Sequence, residues 1–507
     1  MKSLVSAFGP IYLALRDRRP SSPSAIRRAQ ERILRRLVRQ LSPLEIGKRF
    51  GLAALANADL VAEFRRSVPL TRYCDVGDLI ERVRRGERDL LFPGRPVAMA
   101  QTSGTTSNRE GGERYIPQSE GLLRNQTLGG VASLSRLLER TGPSLLGGGL
   151  LMLGGSSALE SNAWGVPEGD LSGIVVSHIP RLLQGSYEPG PKIALEADWK
   201  RKIDLIAKRC AGRDIRLVSG IASWMHVLFE AVCRERGEER ADKIWNLRGL
   251  IHGGATIGPT IPMLTRHLSP SQWMMEVYPA SEGFLAVGSR PWRLEEGAPP
   301  PLEALSDHGI FLEFLPEGES AERAVGPEAL EVGQLYTVLL TTPSGLLRYE
   351  LGDLVQGEGP GMLRIAGRVG ARLSAFGEHV EGMQIAAALE SACHRHAATV
   401  AEYHVAPVFP RPGECAGQHE WWVEFLVPPS DPEAFLASLD GFLQENVLDY
   451  AAHRRDDLQL ARPRLCQVPI GTFHRALERS GKLGGQHKIP QAASDRSFAD
   501  LLSESST

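Results

Sequence analysis

The chain has 507 residues, more than one hydrophobic core normally holds, so we expect at least two domains. Its composition, 42% hydrophobic and 23% charged residues, is typical of a soluble globular protein. Basic and acidic residues are balanced, 58 against 60, which excludes a global basic field for nucleic acid or a membrane. Six scattered cysteines without a Cys-x-x-Cys pair favour neither a zinc knuckle nor a disulfide framework, and they predict a cytoplasmic setting.

The first forty residues contain two apolar patterns. The run over 4–15 superficially resembles a signal peptide, but Gly9 and Pro10 interrupt it and no small-residue cleavage site follows, so we expect no leader. Apolar residues then recur at helical spacing among arginines over 25–41. Such a basic amphipathic helix could bind a membrane or a partner, but we expect it to pack on the main domain. No other segment has transmembrane length, and we predict no membrane association.

The rest of the chain alternates apolar, strand-like runs with helix-length segments, which predicts an α/β fold. Ligand sites in open α/β sheets lie beyond the strand ends. A glycine-rich stretch then precedes a new helix-like run, and it predicts a boundary between a large N-terminal domain, 1–370, and a small α+β domain, 371–507. The predicted strands are 150–154, 215–220, 250–254, 334–340 and 420–427, and a C-terminal helix is predicted over 432–443.

The segment 100–117 gathers five Ser/Thr hydroxyls and three glycines directly after an apolar run. Glycine lets successive backbone N–H groups converge on an anion, and the hydroxyls add uncharged donors, so the segment predicts a phosphate-binding loop. No Gly-Lys-Ser/Thr follows, which excludes a Walker A loop. The alternative is an ordinary surface loop.

Four further patterns follow this loop in order. The first is 252–255, His-Gly-Gly-Ala. In the second, 277–283, Tyr278 can cover a flat base and Glu282 offers a hard oxygen ligand suited to Mg²⁺. In the third, 347–355, Asp353 could accept hydrogen bonds from a ribose diol. The fourth, 480–490, places lysines on a glycine-rich C-terminal loop.

This ordered set resembles the adenylate-forming superfamily of acyl-CoA synthetases, luciferases and peptide-synthetase adenylation domains. It is most similar to the auxin-responsive acyl-acid amido synthetase family, which joins carboxylic acids to amino acids. The resemblance extends over most of the chain. It implies a large adenylate-forming domain with layered sheets and helices, a small mobile C-terminal lid domain, and ATP and Mg²⁺ as cofactors.

The resemblance also implies roles for individual residues. Tyr278 would contact adenine, Asp353 would hold the ribose hydroxyls, and Glu282 would act as both catalytic residue and Mg²⁺ ligand. The β- and γ-phosphates would lie on the first loop. The remaining nucleotide-binding residues implied by the resemblance are Ser103, Gly104, Thr105, Thr106, Gly254, Ala255, Ser281 and Arg368.

A lysine on the last loop would stabilise the charge that develops at the α-phosphate. Lys482 and Lys488 are the only lysines after Lys243. Lys488 has the better setting, because a proline follows it two residues later, as in the family. Lysine is a compact charge on a flexible stem, suited to reach a phosphate from a moving domain. The alternative places both lysines in a solvated tail.

The acyl pocket is less constrained by the sequence. Leu123 and Gln126 on the helix after Pro117, and Trp224 after a predicted strand, are candidate walls, although Trp224 is equally compatible with a core position. A methylene contributes only about 1–3 kcal/mol of discrimination, so the acid cannot be named. No general base for the amine stands out, because the histidines near the motifs have no evident partner: His379, His404 and His487.

Departures from the family pattern concern nucleotide contacts and the hinge. Glu350 replaces a usual arginine, Pro279 replaces a small residue, and 370–372 lacks the acidic hinge residue of the superfamily.

Other conspicuous residues predict structure alone. His394 and His396 lack a third metal ligand and indicate a solvated helix end. Trp421 and Trp422 predict a strand with one core face and one surface face.

Three functions are compatible with these features. We favour an ATP-dependent ligase that forms an acyl-adenylate and transfers the acyl group to an amine, expected to be an amino acid. A thioester ligase acting on CoA or a carrier protein shares the first step and is the alternative. A non-catalytic nucleotide-binding protein is the third, and the presence of Glu282, Asp353 and Lys488 disfavours it. The oligomeric state cannot be deduced.

Overall fold

The computed structural model describes most of the chain and confirms the predicted α/β class. No helix among the described residues combines the length and apolar character needed to cross a bilayer. The residues outside the description are 1–19, 56–58, 103–113, 155–158, 179–184, 197, 255–256, 369–371, 374, 377, 379, 411–415, 455–459, 480–488, 494 and 507.

The α-helices of the described residues range from single turns to a helix of 22 residues. In chain order they are α1 (Pro23–Leu41), α2 (Glu45–Arg49), α3 (Leu60–Ser67), α4 (Tyr73–Arg84), α5 (Glu120–Thr141), α6 (Leu171–Ser177), α7 (Pro191–Ala194), α8 (Trp199–Cys210), α9 (Ala222–Arg236), α10 (Ala241–Ile244), α11 (Ile261–His267), α12 (Gly382–Arg395), α13 (Pro432–Asn446), α14 (Leu448–Arg454), α15 (Thr472–Arg479) and α16 (Ser497–Ser505).

The strands alternate with these helices in the first half of the chain and cluster in the second half. They are β1 (Ala98–Thr102), β2 (Arg114–Gln118), β3 (Gly149–Met152), β4 (Glu160–Ser161), β5 (Pro167–Gly169), β6 (Tyr187–Glu188), β7 (Ile215–Gly220), β8 (Gly249–Gly253), β9 (Trp273–Ala280), β10 (Gly283–Gly288), β11 (Trp292–Arg293), β12 (Leu302–Ala304), β13 (Phe311–Pro316), β14 (Leu335–Thr341), β15 (Tyr349–Gly357), β16 (Met362–Arg368), β17 (Arg372–Leu373), β18 (Val380–Glu381), β19 (Thr399–Val408), β20 (Gly417–Val427) and β21 (Leu460–Val468).

A 12-stranded sheet forms the centre of the larger part of the molecule, with the order β13-β14-β15-β16-β12-β10-β9-β8-β7-β3-β6 and β11 beside β9. Neighbouring strands in the series β9-β8-β7-β3-β6 pair in parallel. All other pairs of this sheet are antiparallel. The predicted strands over 150–154, 215–220, 250–254 and 334–340 are confirmed with small shifts of their ends. Helices pack on the parallel half because its crossover connections cover both faces.

The amphipathic N-terminal helix is α1, and it packs on the main sheet as predicted. Its apolar stripe, which includes Leu34 and Leu37, is buried in a shared core. The buried Gln30 also donates from Nε2 to the carbonyl oxygens of Ser306 and Ile310, at 2.7 and 3.2 Å. The arginines on the other side leave the helix solvated along one face.

The C-terminal part contains a separate three-stranded sheet, β19-β20-β21, flanked by helices. The predicted strand over 420–427 and helix over 432–443 lie within β20 and α13. The boundary at 370/371 stays a prediction; the strands on either side of it, β16 and β17, belong to different sheets.

The prediction that one of the paired tryptophans lies at the surface is wrong. Trp421 is fully buried against α12 and α13, and Trp422 is buried on the opposite face, where α15 and α16 cover the sheet. The predicted solvated helix end is confirmed for His394, which is exposed, whereas His396 is half-buried, contacts the hydroxyl of Ser438 at 2.8 Å and packs edge-on against Phe435.

A buried ion pair connects the α3 segment with the antiparallel half of the sheet. The Arg348 side chain is fully buried, and its Nε lies 3.2 Å from a carboxylate oxygen of Glu313. Its other nitrogens donate to the carbonyl oxygens of Arg65, Val68 and Ala321 at 2.5–3.0 Å. All charges of the pair are therefore compensated, and loss of one partner would leave the other in a poorly solvated site.

We expect Arg348→Met to lower the free energy of unfolding by about 3–5 kcal/mol, because the buried carboxylate of Glu313 loses a partner. Arg323→Met is the matched control, since Arg323 pairs with Glu319 at the exposed surface, and its effect should stay within about 0.5 kcal/mol. Urea unfolding measures both values. Equal midpoints for the two variants would contradict the assigned role of the buried pair.

Candidate active site

The carboxyl ends of neighbouring parallel strands meet at one cleft. Gly154 follows β3, Gly220 ends β7, Gly254 follows β8, and Ser281 follows β9, and all four line this cleft. Gly254 has φ +83°, in the region that favours glycine. A cleft therefore lies beyond the strand ends, at the position where the sequence predicts the ligand site.

The turn between β9 and β10 presents Glu282 at this cleft. Helix α5 and the preceding strand hold the turn, because Gln126 Nε2 donates to the carbonyl oxygen of Ala280 at 2.8 Å and Gln118 Nε2 donates to that of Ser281 at 2.9 Å. Ser281 itself is buried, and Glu282 is half-buried. The hairpin is thus a supported platform for a carboxylate rather than a free loop.

Tyr278 and Asp353 are in direct contact across the cleft. The Tyr278 hydroxyl donates to Asp353 Oδ2 at 2.5 Å, and both side chains are buried. The residues lie 75 positions apart, on β9 and β15. Arg368, the last residue of β16, is the register partner of Asp353 on β15, so its backbone lies beside that of Asp353.

The candidate acyl-pocket residues divide into two groups. Trp224 is half-buried, lines the cleft and packs at a ring distance of 4.7 Å on Trp199. Gln126 also lines the cleft, although its amide is used to hold the β9–β10 turn. Leu123 packs beside β1 and α6 and is absent from the described cleft wall.

Glu350, the residue that departs from the family pattern, forms an ion pair with Arg72 at the cleft. The segment before α4 brings Arg72 there, because Thr71 pairs with Tyr349 like an additional strand. The Glu350 N–H also donates to the carbonyl oxygen of Thr71, at 2.8 Å. The negative charge of Glu350 is therefore compensated by a residue distant in sequence.

The C-terminal sheet supplies the opposite wall of the cleft. His404 is buried, and its Nδ1 donates to the carbonyl oxygen of Pro490 at 2.5 Å. Val405 N–H donates to Gln491 O at 2.9 Å, so the chain directly after Lys488 is attached to β19. Burial lowers the pKa of His404 to about 4, and this histidine holds the loop end and is not a free base.

Three carboxyl groups in the cleft escaped the sequence reasoning. Glu276 lies two residues before Tyr278 on the same face of β9, and burial raises its pKa to about 7. Glu402 and Glu424 lie opposite each other on β19 and β20, and burial together with the charge of Glu424 raises the pKa of Glu402 to about 8. The sequence contained one signal for these carboxyl groups, namely an acidic residue within an otherwise apolar strand.

Several predicted site residues lie outside the described part of the chain. The histidine of the 252–255 motif is described, but it is buried against Trp292 and faces away from the cleft wall. His379 and His487 are also outside the description. The predicted site residues outside it are Ser103, Gly104, Thr105, Thr106, Ala255 and Lys488.

Three family models match successive parts of the chain. The GH3 family N-terminal domain matches residues 22–248, the GH3 family central domain 304–360 and the GH3 family C-terminal domain 383–497. This chain belongs to the GH3 family. The family membership inferred from the motifs is confirmed.

Two similar curated proteins cover between about two thirds of the chain and nearly all of it. The indole-3-acetic acid-amido synthetase GH3.3 of Arabidopsis thaliana is 23% identical and covers 93% of this GH3 chain and 90% of the relative. The putative indole-3-acetic acid-amido synthetase GH3.10 of Oryza sativa subsp. japonica is 22% identical and covers 64% of the chain and 74% of the relative.

Two solved structures share the fold. AtGH3.15 acyl acid amido synthetase, in complex with 2,4-DB, has a TM-score of 0.77 at 16% identity and 97% coverage of both chains. A 2-hydroxyisobutyryl-CoA ligase in the postadenylation state has a TM-score of 0.55 at 14% identity, with 95% and 91% coverage. The predicted adenylate-forming architecture is therefore confirmed.

The raised pKa of Glu276 leads to a stability test. The folded protein keeps this carboxyl protonated up to about pH 7, whereas the unfolded chain ionises near 4.5, so the group costs stability as pH rises between these values. Glu276→Gln should therefore raise the free energy of unfolding by roughly 1 kcal/mol or more at pH 8, because one pKa unit corresponds to about 1.4 kcal/mol. At pH 4 the variant should match the wild type.

Denaturant unfolding at both pH values measures this difference. Glu239→Gln, on the exposed surface, is the control and should show no pH-dependent gain. A gain of the same size at pH 4 and pH 8 would mean that Glu276 is not the proton-binding group.

Proposed function

We propose that this GH3 protein activates a carboxylic acid with ATP and transfers the acyl group to an amino acid through the residues of this cleft. ATP-dependent formation of an acyl-adenylate and then of an amide is the activity of the family to which it belongs. The observation that supports the site assignment best is the hydrogen bond between Tyr278 and Asp353. It joins two of the sequence patterns in the same cleft that Glu282 reaches.

The nucleotide would lie along the ends of β7, β8 and β9. Tyr278 would present its ring to adenine, and Asp353 would accept hydrogen bonds from the ribose hydroxyls. Gly253 at the end of β8 is required by the packing of β8 on β9, because a Cβ there would lie 2.3 Å from the carbonyl oxygen of Val277. The loop containing Ser103 to Thr106 would receive the phosphates, since β1 and β2, which flank it, lead to the same cleft.

The first half-reaction requires the acid's carboxylate oxygen to attack the α-phosphorus while the bond to pyrophosphate breaks. Glu282 would hold Mg²⁺, because its half-buried carboxylate is a hard oxygen donor on a supported turn. Bound Mg²⁺ supplies positive charge for the phosphate oxygens. Gln118 and Gln126 contribute by fixing the turn that presents this carboxylate.

Lys488 would approach the α-phosphate from the C-terminal sheet. The segment 480–488, outside the described residues, lies in the chain between α15 and the segment that His404 and Val405 attach to β19, and Leu477 and Ile489 on either side of it line the cleft. Lys488 would therefore contact the nucleotide from the C-terminal domain rather than from the larger domain. We propose that the two domains divide at 370/371 and that the C-terminal domain rotates between the half-reactions. The glycine-rich junction would absorb this rotation.

In the second half-reaction the amine nitrogen attacks the acyl carbonyl carbon, loses a proton, and AMP leaves. Trp224 and Trp199 would form an aromatic wall for the acid. The acceptor is the point that separates an amide synthetase from a thioester ligase. We propose an amino acid, because the curated relatives are named as amido synthetases.

Pyrophosphate release over pooled acids, measured with amino acids, CoA or no acceptor, tests this function. We expect acid-dependent release without an acceptor, faster turnover with amino acids, and an amide product by mass spectrometry. A thioester product would establish the alternative acceptor, and no release with any acid would reject adenylation.

We expect Glu282→Ala to reduce acid-dependent ATP–pyrophosphate exchange by about 10²–10³-fold, because it removes a charge-stabilising ligand. The melting temperature should stay close to that of the wild type, since the residue is half-buried and lies on a turn. Glu319→Ala, which removes an exposed carboxylate outside the cleft, is the control and should exchange normally. Wild-type exchange by the Glu282 variant would remove this residue from the site.

Lys488→Ala should reduce acyl-adenylate formation by about 10²–10³-fold, because the cation acts on charge that develops only in the first step. The same variant, supplied with synthetic acyl-adenylate and amine, should retain most of its second-step rate. Lys482→Ala is the matched control on the same loop and should retain both steps. Loss of adenylation by the Lys482 variant instead would transfer the role to that lysine.

A further inference from the structure

Helices α9 and α11 meet at a group of three potential metal ligands. His226 and Glu230 lie one turn apart on α9, so their side chains project from the same helix face. His267 is the last residue of α11, which packs against α9. Both histidines are buried, whereas the carboxylate of Glu230 is half-exposed.

The donor atoms of this group have spacings that a single ion can bridge. His267 Nε2 lies 3.1 Å from Glu230 Oε1, and one donor atom from each of the three residues lies within 4.8 Å of the others. Two ligands of a tetrahedral Zn²⁺ site are about 3.3 Å apart when each bond is about 2.0–2.1 Å long. The His226 ring, centred 5.3 Å from that of His267, requires only a small movement to complete the site.

His226 supplies an independent indication of a ligand. Its side chain is more than nine-tenths buried, and its Nδ1 has no hydrogen-bond partner among the described residues. A buried imidazole nitrogen without a partner loses its hydration without compensation. A metal ion held beside Glu230 and His267 and bound through this nitrogen would remove the deficit.

We propose that His226, Glu230 and His267 bind a divalent transition-metal ion of the Zn²⁺ class. Two imidazoles and one carboxylate are the ligand set that such ions prefer, whereas Mg²⁺ prefers oxygen ligands throughout. The site is therefore separate from the Mg²⁺ position assigned to Glu282. Three protein ligands leave a further position for water.

Protonation of the two histidines does not oppose metal binding. Burial lowers the pKa of His226 to about 4 and also lowers that of His267, so both rings are neutral at pH 7. When Glu230 accepts from His267 Nε2, that nitrogen holds the proton. Moving it to Nδ1 frees Nε2 for the metal, and Nδ1–H then faces Cys233 Sγ at 3.7 Å, a weak acceptor that orients the ring.

The position of the site gives it a structural link to the cleft. His226 lines the cleft, and Trp224, two residues earlier, lies in the first turn of the same helix. Helix α11 follows the segment after Gly254. A metal ion bound to both α9 and α11 would therefore connect the helix that carries Trp224 with the chain that follows Gly254 at the end of β8.

Titration of the chelator-treated full chain with Co²⁺ and Zn²⁺ tests this proposal. We expect one Co²⁺ per chain with visible d–d absorption, displacement by equimolar Zn²⁺, and no displacement by a tenfold excess of Mg²⁺. Glu230→Gln keeps an oxygen that accepts from His267 but removes the anionic ligand, and it should weaken Zn²⁺ binding more than about tenfold. The circular dichroism spectrum of this variant should match that of the wild type, because Glu230 is half-exposed.

Glu235→Gln is the matched control, because Glu235 is an exposed carboxylate on the same helix. It should bind Zn²⁺ like the wild type. His226→Asn provides a second variant, and its binding should fall with that of the Glu230 variant. Absence of Co²⁺ absorption in the wild type, or equal Zn²⁺ affinity in the wild type and both ligand variants, would overturn the proposal.

Discussion

The candidate site depends on the curvature of the large sheet, which the hydrogen bond between Tyr278 and Asp353 makes visible. Their strands, β9 and β15, are four steps apart in the pairing order. In a flat sheet four steps of about 4.8 Å would separate them by about 19 Å. A tyrosine and an aspartate side chain together do not reach across that backbone separation, so their hydrogen bond requires the antiparallel half to bend over the parallel half. That bend encloses the space in which a nucleotide would lie.

Local contacts then support the side chains that the bend brings together. The amides of Gln118 and Gln126 hold the turn that carries Glu282, and Thr71 places Arg72 beside Glu350. The C-terminal sheet contributes through His404, which anchors the chain after the lysine loop. Each support joins segments distant in sequence, so the site is a product of tertiary packing. The acidic residue that departs from the family pattern is consequently an ion-pair partner and not an uncompensated charge.

Chain patterns predicted much of the architecture correctly. Apolar runs located the parallel strands β3, β7 and β8, because such strands are buried on both faces and read as continuous hydrophobic segments. The order of the motifs indicated the family, and Tyr278, Glu282 and Asp353 do lie at one cleft. The sequence did not reveal that Leu123 packs beside β1 and α6, because periodicity alone does not say which partner each face of a helix contacts. The roles of the residues outside the description remain predictions.

The sequence by itself determined the α/β class, the family, the position of four strands of the large sheet and the chemistry available to the site. These features follow from local periodicity and from short ordered motifs. Only the tertiary structure decided that Trp422 is covered, that Arg72 pairs with Glu350, that Glu276 titrates in the cleft, and that His226 meets Glu230 and His267. Burial and pairing depend on which distant segments pack together, and the free energy of such contacts has no signature within a short stretch of chain.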